Sequence, residues 1–142
     1  MKKLILITSI LASFSALSCP DLVGSYNCSQ TDDMGGKETF SMSIKQNTNE
    51  FDISTDGNAA ETLIADGVTR IFDTLGQQLN MTLSCDSRVL TMKMEGEVSI
   101  DDEAFDMSSD VGIVKSGRIL TQRTVTKALG NTMVTTAICK EI

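Results

Sequence analysis

Beyond Cys19 the chain alternates apolar and polar residues, and no stretch keeps a helical period for three turns. The clearest case is 88–100, in which Leu90, Met92, Met94 and Val98 fall on one side and Thr91, Lys93, Glu95 and Glu97 on the other. Successive residues of a strand point to opposite faces of a sheet, so this pattern is typical of strands with one buried and one solvated face. The chain is therefore expected to be all-β.

Glycine, asparagine and aspartate clusters divide the chain into short strands. The expected strands are 24–30, 38–46, 51–54, 62–65, 68–72, 78–85, 88–100, 111–115, 119–128 and 133–140. Short local connections favour antiparallel neighbours, and an up-and-down β-barrel of eight to ten strands hides the edges that an open meander would expose. A two-sheet β-sandwich is the alternative, because period-2 patterning does not distinguish the two.

The first eighteen residues have the pattern of an export signal. Met1-Lys2-Lys3 is basic, 4–17 is apolar but short for a mature membrane span, and Ala16-Leu17-Ser18 offers small residues at the positions that a signal peptidase reads. We expect cleavage after Ser18, leaving 19–142 as a single all-β domain in the periplasm or outside the cell, with no transmembrane span.

Four cysteines, Cys19, Cys28, Cys85 and Cys139, follow that leader and predict two disulfides in an oxidising compartment. The favoured pairing joins Cys85 to Cys139 and Cys19 to Cys28. Its rival joins Cys28 to Cys139, which holds if the first and last strands of a barrel pair. Lipidation of Cys19 is an alternative fate, disfavoured because Ala16 stands where lipoprotein signals carry a large aliphatic residue and because it would leave an odd number of thiols.

Two local segments carry specific expectations. Asp66-Gly67, between strands 62–65 and 68–72, is a strong signal for a short β-hairpin. The acidic segment Asp101–Asp110 interrupts the alternation and is interpreted as a solvated loop, since its acids do not follow the spacing of a calcium-binding loop.

Composition narrows the function. The formal charge is −7, and because the leader holds two of the twelve basic residues and none of the nineteen acidic ones, the exported part carries −9. This charge and the lack of basic clusters argue against nucleic acid and anionic lipid as partners. The chain has no histidine, which excludes the common catalytic triads, and no Cys-x-x-Cys pair. We expect no enzyme, no catalytic residue, no metal and no cofactor.

Methionine is frequent and aromatic residues are few, at 4%. An outer-membrane barrel would need aromatic girdles that these few residues cannot form. The methionines either fill the core in place of bulkier side chains or line an adaptable apolar cavity. Those considered for such a cavity are Met42, Met81, Met92, Met94, Met107 and Met133.

Gly24-Ser25-Tyr26 resembles the Gly-x-Trp that opens lipocalin and avidin-like (calycin) barrels. The resemblance implies a ligand-binding cup. Tyr26 replaces the Trp, and the Arg expected over it from the last strand has no counterpart, since Arg123 lies in the preceding strand. Tyr26-Asn27-Cys28 with Asp66-Gly67 also resembles periplasmic inhibitors of C-type lysozymes, although Ser116-Gly117-Arg118-Ile119-Leu120 lacks the tyrosine of their inhibitory loop.

The sequence thus predicts an exported, monomeric binding protein that takes a small apolar ligand into a barrel. The alternatives are a protein-binding module, such as an inhibitor of a basic hydrolase, and a structural envelope protein.

Overall fold

A computed structural model describes residues 18–74 and 76–142, with only the backbone of Thr74. The expected signal peptide therefore lies, apart from Ser18, outside the described residues. The described part contains ten β-strands and no helix: β1 Gly24–Asp32, β2 Lys37–Asn47, β3 Glu50–Thr55, β4 Glu61–Ile64, β5 Thr69–Thr74, β6 Gln77–Cys85, β7 Leu90–Ile100, β8 Glu103–Ser116, β9 Ile119–Ala128 and β10 Asn131–Glu141. The all-β prediction is confirmed.

All ten strands belong to one antiparallel sheet in the order β4-β3-β2-β1-β10-β9-β8-β7-β6-β5. Each strand pairs with its neighbours in sequence, except that β4 and β5 do not pair with each other; in addition, the first strand, β1, pairs with the last, β10. The sheet curls until β4 lies against β6, so it forms an up-and-down barrel with a gap between β4 and β5. The barrel prediction is confirmed. A β-sandwich is excluded because it consists of two separate sheets, whereas all ten strands here belong to one.

One continuous face of the curled sheet forms the core. Cross-strand partners share a face, so the register carries the inner row from Phe40 through Cys28 to Cys139 and Leu120. The side chains that are completely buried are Leu22, Tyr26, Ile44, Phe51, Leu90, Leu120 and Cys139. Cys85, which the alternation predicts to point inward, packs against this cluster.

The two disulfides are Cys19–Cys85 and Cys28–Cys139. The favoured pairing was therefore wrong in both bonds, and the rival bond Cys28–Cys139 is present. Cys28 and Cys139 are direct partners across the β1–β10 ladder, 3.9 Å apart between Cα atoms. Closure of the first strand onto the last brings them together, which separation along the chain does not reveal.

The Asp66-Gly67 hairpin prediction was also wrong. β4 and β5 are consecutive but form opposite edges of the sheet. A two-residue type I′ turn needs positive φ at both central positions, and only Gly67 has one, at 73°. The Ala65 N–H donates to the Asn49 carbonyl, whereas the Gly67 N–H donates to the Leu83 carbonyl. At this turn the chain therefore leaves β3, the partner of β4, and joins β6, the partner of β5.

The acidic segment is a strand and not a loop. Only Asp101 and Asp102 form a turn, and both have positive φ, 51° and 66°, as a type I′ hairpin requires. β8 begins at Glu103, and Asp106 and Asp110 pair with Glu97 and Lys93 of β7. These positions face away from the core because Met107, Ser109 and Val111 alternate with them, so the acids are solvated as side chains of a strand.

Candidate ligand-binding cavity

The segment before β1 closes one end of the barrel. Leu22 is completely buried within the core cluster. Its N–H donates to Gln46 Oε1 at 3.0 Å, and Gln46 Nε2 donates to the Pro20 carbonyl at 3.0 Å. The bond from Cys19 to Cys85 joins the same segment to the end of β6. These attachments to β2 and β6 hold the segment across one end of the barrel, which we call the sealed end.

Tyr26 supports the sealed end from inside. Its ring is completely buried, and its hydroxyl donates to the Leu22 carbonyl at 2.7 Å, with the Val23 carbonyl 3.1 Å away. Gly24 has no side chain where the ring lies, since a Cβ there would come within 2.8 Å of the Tyr26 ring. Of the three residues that carry the calycin resemblance, Gly24 and Tyr26 therefore serve closure of the barrel, and none of the three belongs to the lining of the cavity described below.

A cation lies over Tyr26, although sequence reasoning found none. Lys115 Nζ is 5.5 Å from the ring centroid, donates to the Val23 carbonyl at 3.0 Å and lies 3.3 Å from Glu141 Oε2. Burial is the largest influence on the pKa of Lys115 and lowers it, but hydrogen bonding with Tyr26 and Glu141 outweighs burial and raises the pKa overall. The missed signal was the alternation Val111, Ile113, Lys115, which places this lysine on the inner face.

The opposite end of the barrel contains a cavity of about 570 Å³. It spans the interior, since its walls come from β1 to β4 on one side and from β7 to β9 on the other. The deeper wall is apolar and consists of Phe40, Met42, Ile53, Leu63, Met92 and Ile113. The rim is polar and includes Gln30, Glu38, Thr55, Asp56, Asn58, Glu61 and Gln122. A volume of this size, with an apolar wall and a polar rim, lies in the range of small-molecule sites.

Of the six methionines considered, two line this cavity, Met42 and Met92. Met81 packs against the core cluster, Met94 is half-buried opposite Met81, and Met133 is 44% exposed. Met107 contributes to a separate groove beside the β9–β10 turn. The methionines are thus divided between cavity wall, core and surface, because their positions along the strands differ.

The charged groups of the rim are all acidic. Glu38, Asp56 and Glu61 are carboxylates, and no Lys or Arg is present among the described residues that line the cavity. Asp56 Oδ1 accepts the Ser41 N–H at 2.8 Å, so this carboxylate is partly satisfied by the backbone. Glu38 and Glu61 are exposed and belong to neither ion pair found in the described part of the chain. The mouth of the cavity therefore has negative potential.

Other polar features lie at the sealed end. Arg70 forms a two-pronged ion pair with Asp66, 2.9 Å and 2.5 Å between heavy atoms. Arg70, together with the Val68 N–H, holds the pKa of Asp66 well below its usual range. The N–H groups of Arg88 and Val89 lower the pKa of Asp86 in the same manner. These groups stabilise turns, and none of them belongs to the cavity lining.

The segment compared with an inhibitory loop forms the β8–β9 turn. Ser116 ends β8, Ile119 begins β9, and the Arg118 guanidinium donates to the Glu141 carbonyl at 3.1 Å. The turn thus lies beside the sealed end and is bound to the C-terminal strand.

Across residues 18–74 and 76–142, no three His, Cys, Asp or Glu side chains converge as metal ligands would.

Comparison with solved structures identifies a related architecture. The barrel is similar to that of the zebrafish ileal bile acid-binding protein. That structure, a complex with cholic acid, superposes with a TM-score of 0.59 at 14% sequence identity, covering 84% of this chain and 98% of that chain. At this level of identity the likeness shows the fold alone. No protein-family model matches the sequence, and no curated protein does.

The described residues contain no helix with the length and apolar character needed to cross a bilayer.

Proposed function

We propose that this protein is an exported, non-enzymatic carrier that binds one small, mainly apolar molecule inside its barrel, in the manner of a lipocalin. The observation that carries the proposal is the cavity of about 570 Å³, with an apolar wall and a polar rim. Barrels of eight or more strands have an interior wide enough for a single small ligand. The similar barrel of the zebrafish protein was solved with cholic acid bound, which supports the same kind of use here.

The compartment belongs to the proposal. Two disulfides in a chain of this size are typical of proteins outside the reducing cytosol. Both bonds connect distant parts of the barrel, one closing the sheet and one fixing the segment at the sealed end. We infer a periplasmic or secreted monomer, in which the disulfides keep the cavity preformed.

A neutral fluorescent probe tests ligand binding. N-phenyl-1-naphthylamine is expected to bind the native protein saturably, with one site per chain and increased fluorescence. Ile53→Trp and Thr55→Trp each place a large ring at the cavity, so both are expected to weaken dye binding at least tenfold. The matched control is Val114→Trp, because Val114 is exposed on the outer face of β8.

Circular dichroism and urea unfolding establish that each variant folds. Dye binding that does not saturate would contradict the proposal. Equal affinity in the cavity variants and in Val114→Trp would contradict it as well.

A further inference from the structure

We propose that the ligand is a cationic amphiphile, whose apolar body lies between Met42 and Met92 and whose ammonium group lies at the acidic rim to which Glu38 and Glu61 belong. This inference rests on the ligand-binding function proposed above and adds the chemical class of the ligand.

The rim presents negative charge without compensation. Glu38 of β2 is at the β1–β2 end of the lining and Glu61 begins β4, so the two carboxylates flank the apolar wall from different strands. Neither is joined to a basic side chain of the described residues. Both carboxylates would attract a cationic group at the rim. Asp56 would attract it as well, because its carboxylate can accept further hydrogen bonds besides the one from the Ser41 N–H.

An anionic amphiphile would find no cation among the described residues that line this cavity. Within the described strands, the register places two basic side chains on the inner face, Arg70 opposite Met81 and Lys115 opposite Leu120. Arg70 is engaged with Asp66, and Lys115 is engaged with Val23 and Glu141 at the sealed end. A carboxylate or sulfate head group would thus meet only negative charge at the rim, and the net charge of the chain adds to the repulsion.

The apolar wall determines the chemical character of the part of the ligand that lies inside the cavity. Phe40, Met42, Ile53, Leu63, Met92 and Ile113 supply no charge. Methionine side chains adapt to irregular apolar shapes, which suits an alkyl chain better than one rigid outline. The complementary molecule therefore has a flexible apolar chain and one positive end.

Displacement of the neutral dye tests the charge preference at low ionic strength. The competitors share a twelve-carbon chain and are used below their micellar concentrations: dodecyltrimethylammonium, dodecyl sulfate and dodecyl maltoside, with cholate as a second anion. Dodecyltrimethylammonium is expected to displace the dye at a concentration about tenfold lower than dodecyl sulfate. This advantage should shrink in 0.5 M salt, because salt screens exposed charges.

Two double variants then locate the effect. Glu38→Gln with Glu61→Gln is expected to reduce the preference for the cation over the anion about fivefold. Glu50→Gln with Glu97→Gln removes the same charge from the outer face, and there the preference should not change. The contrast separates the rim from the net charge.

The outcomes distinguish this inference from the function on which it rests. If the dye binds but the anions displace it as well as the cation does, the charge inference is wrong and the carrier function stands. If both double variants lose the preference equally, the rim carboxylates are not the cause and the inference is wrong. If the native protein binds no dye, both proposals are overturned together.

Discussion

The ammonium group of Lys115 lies over the ring of Tyr26, 5.5 Å from its centroid, and at the same time donates to the Val23 carbonyl. The pair joins β8 to β1 across the interior, although β9 and β10 separate these strands in the sheet. The hydroxyl of the same tyrosine donates to the Leu22 carbonyl. One lysine and one tyrosine therefore connect the chain segment at the sealed end to two walls of the barrel.

Replacing Lys115 by methionine should weaken the sealed end. Lys115→Met keeps the apolar stem but removes the hydrogen bond to Val23 and the ion pair with Glu141, so the free energy of unfolding should fall by about 1–2 kcal/mol. Urea unfolding measures this loss. Lys93→Met, on the outer face of β7, should change stability by less than about 0.5 kcal/mol. An equal effect of the two changes would contradict a role for Lys115.

The same lysine predicts a dependence on alkaline pH. The pKa of Lys115 is raised in the folded state. The stability that its charge contributes is therefore fully present below the unfolded pKa of about 10.4, and it is lost as the pH rises through the folded pKa. The stability difference between wild type and Lys115→Met should therefore narrow above about pH 10.5. Urea unfolding at pH 8, 10 and 11 measures it, and a difference independent of pH would refute the expectation.

A side chain at Gly24 should disturb the buried tyrosine. The Cβ of Gly24→Ala would lie 2.8 Å from atoms of the Tyr26 ring, and the completely buried ring has little room to move. We expect a loss of about 1–3 kcal/mol in the free energy of unfolding. At Gly112 an added Cβ meets its nearest neighbour at 4.0 Å, so Gly112→Ala is the matched control and should cost much less.

Each disulfide should contribute substantially to stability. Cys28–Cys139 spans 111 residues and Cys19–Cys85 spans 66, so either Cys-to-Ala double variant should lose about 2–5 kcal/mol on unfolding in urea. Full stability in either variant would show that its bond does not constrain the unfolded chain.

Mass mapping without reduction checks the pairing itself. No Lys or Arg lies between Cys19 and Cys28, so trypsin leaves both on one peptide, and a protease that cuts after Tyr26 is needed to separate them. Once Cys19 and Cys28 are separated by that second cleavage, a direct bond between the Cys85 and Cys139 peptides would contradict the pairing described above.

The Asp66–Arg70 ion pair predicts sensitivity to acid. The pKa of Asp66 is lowered in the folded state, chiefly by Arg70, so the unfolded chain binds more protons once the pH falls below about 4. The stability that Asp66 contributes is thus present at neutral pH and is lost as the pH falls towards the folded pKa of this carboxyl group. The difference between wild type and Asp66→Asn should narrow as the pH is lowered from 5 to 2.

Asp73→Asn provides the control for that titration, because Asp73 lies on the outer face of the same strand as Arg70 and belongs to neither ion pair of the described residues. Its stability curve between pH 5 and 2 should parallel that of wild type. Parallel curves for Asp66→Asn would show that the exposed ion pair is fully screened.

The strands and their two faces could be predicted well from the sequence. β9 has the predicted bounds, Ile119–Ala128, and the apolar row of β7 faces inward as expected. The cavity could be predicted only as a possibility, with Met42 and Met92 among six candidates. Its acidic rim was not predicted, because Glu38 and Glu61 are distant in sequence and line the same cavity only after the sheet has curled.

The sequence by itself determined that the chain forms antiparallel strands with one apolar face, since the period-2 alternation that decides this is local and needs no partner. Tertiary structure alone decided that β1 pairs with β10, that Cys28 meets Cys139, and that β4 and β5 separate at a turn that resembles a hairpin. It also decided that Lys115 covers Tyr26. These relationships depend on closure of the sheet, in which residues about a hundred positions apart become neighbours, and alternation within a strand contains no information about that closure.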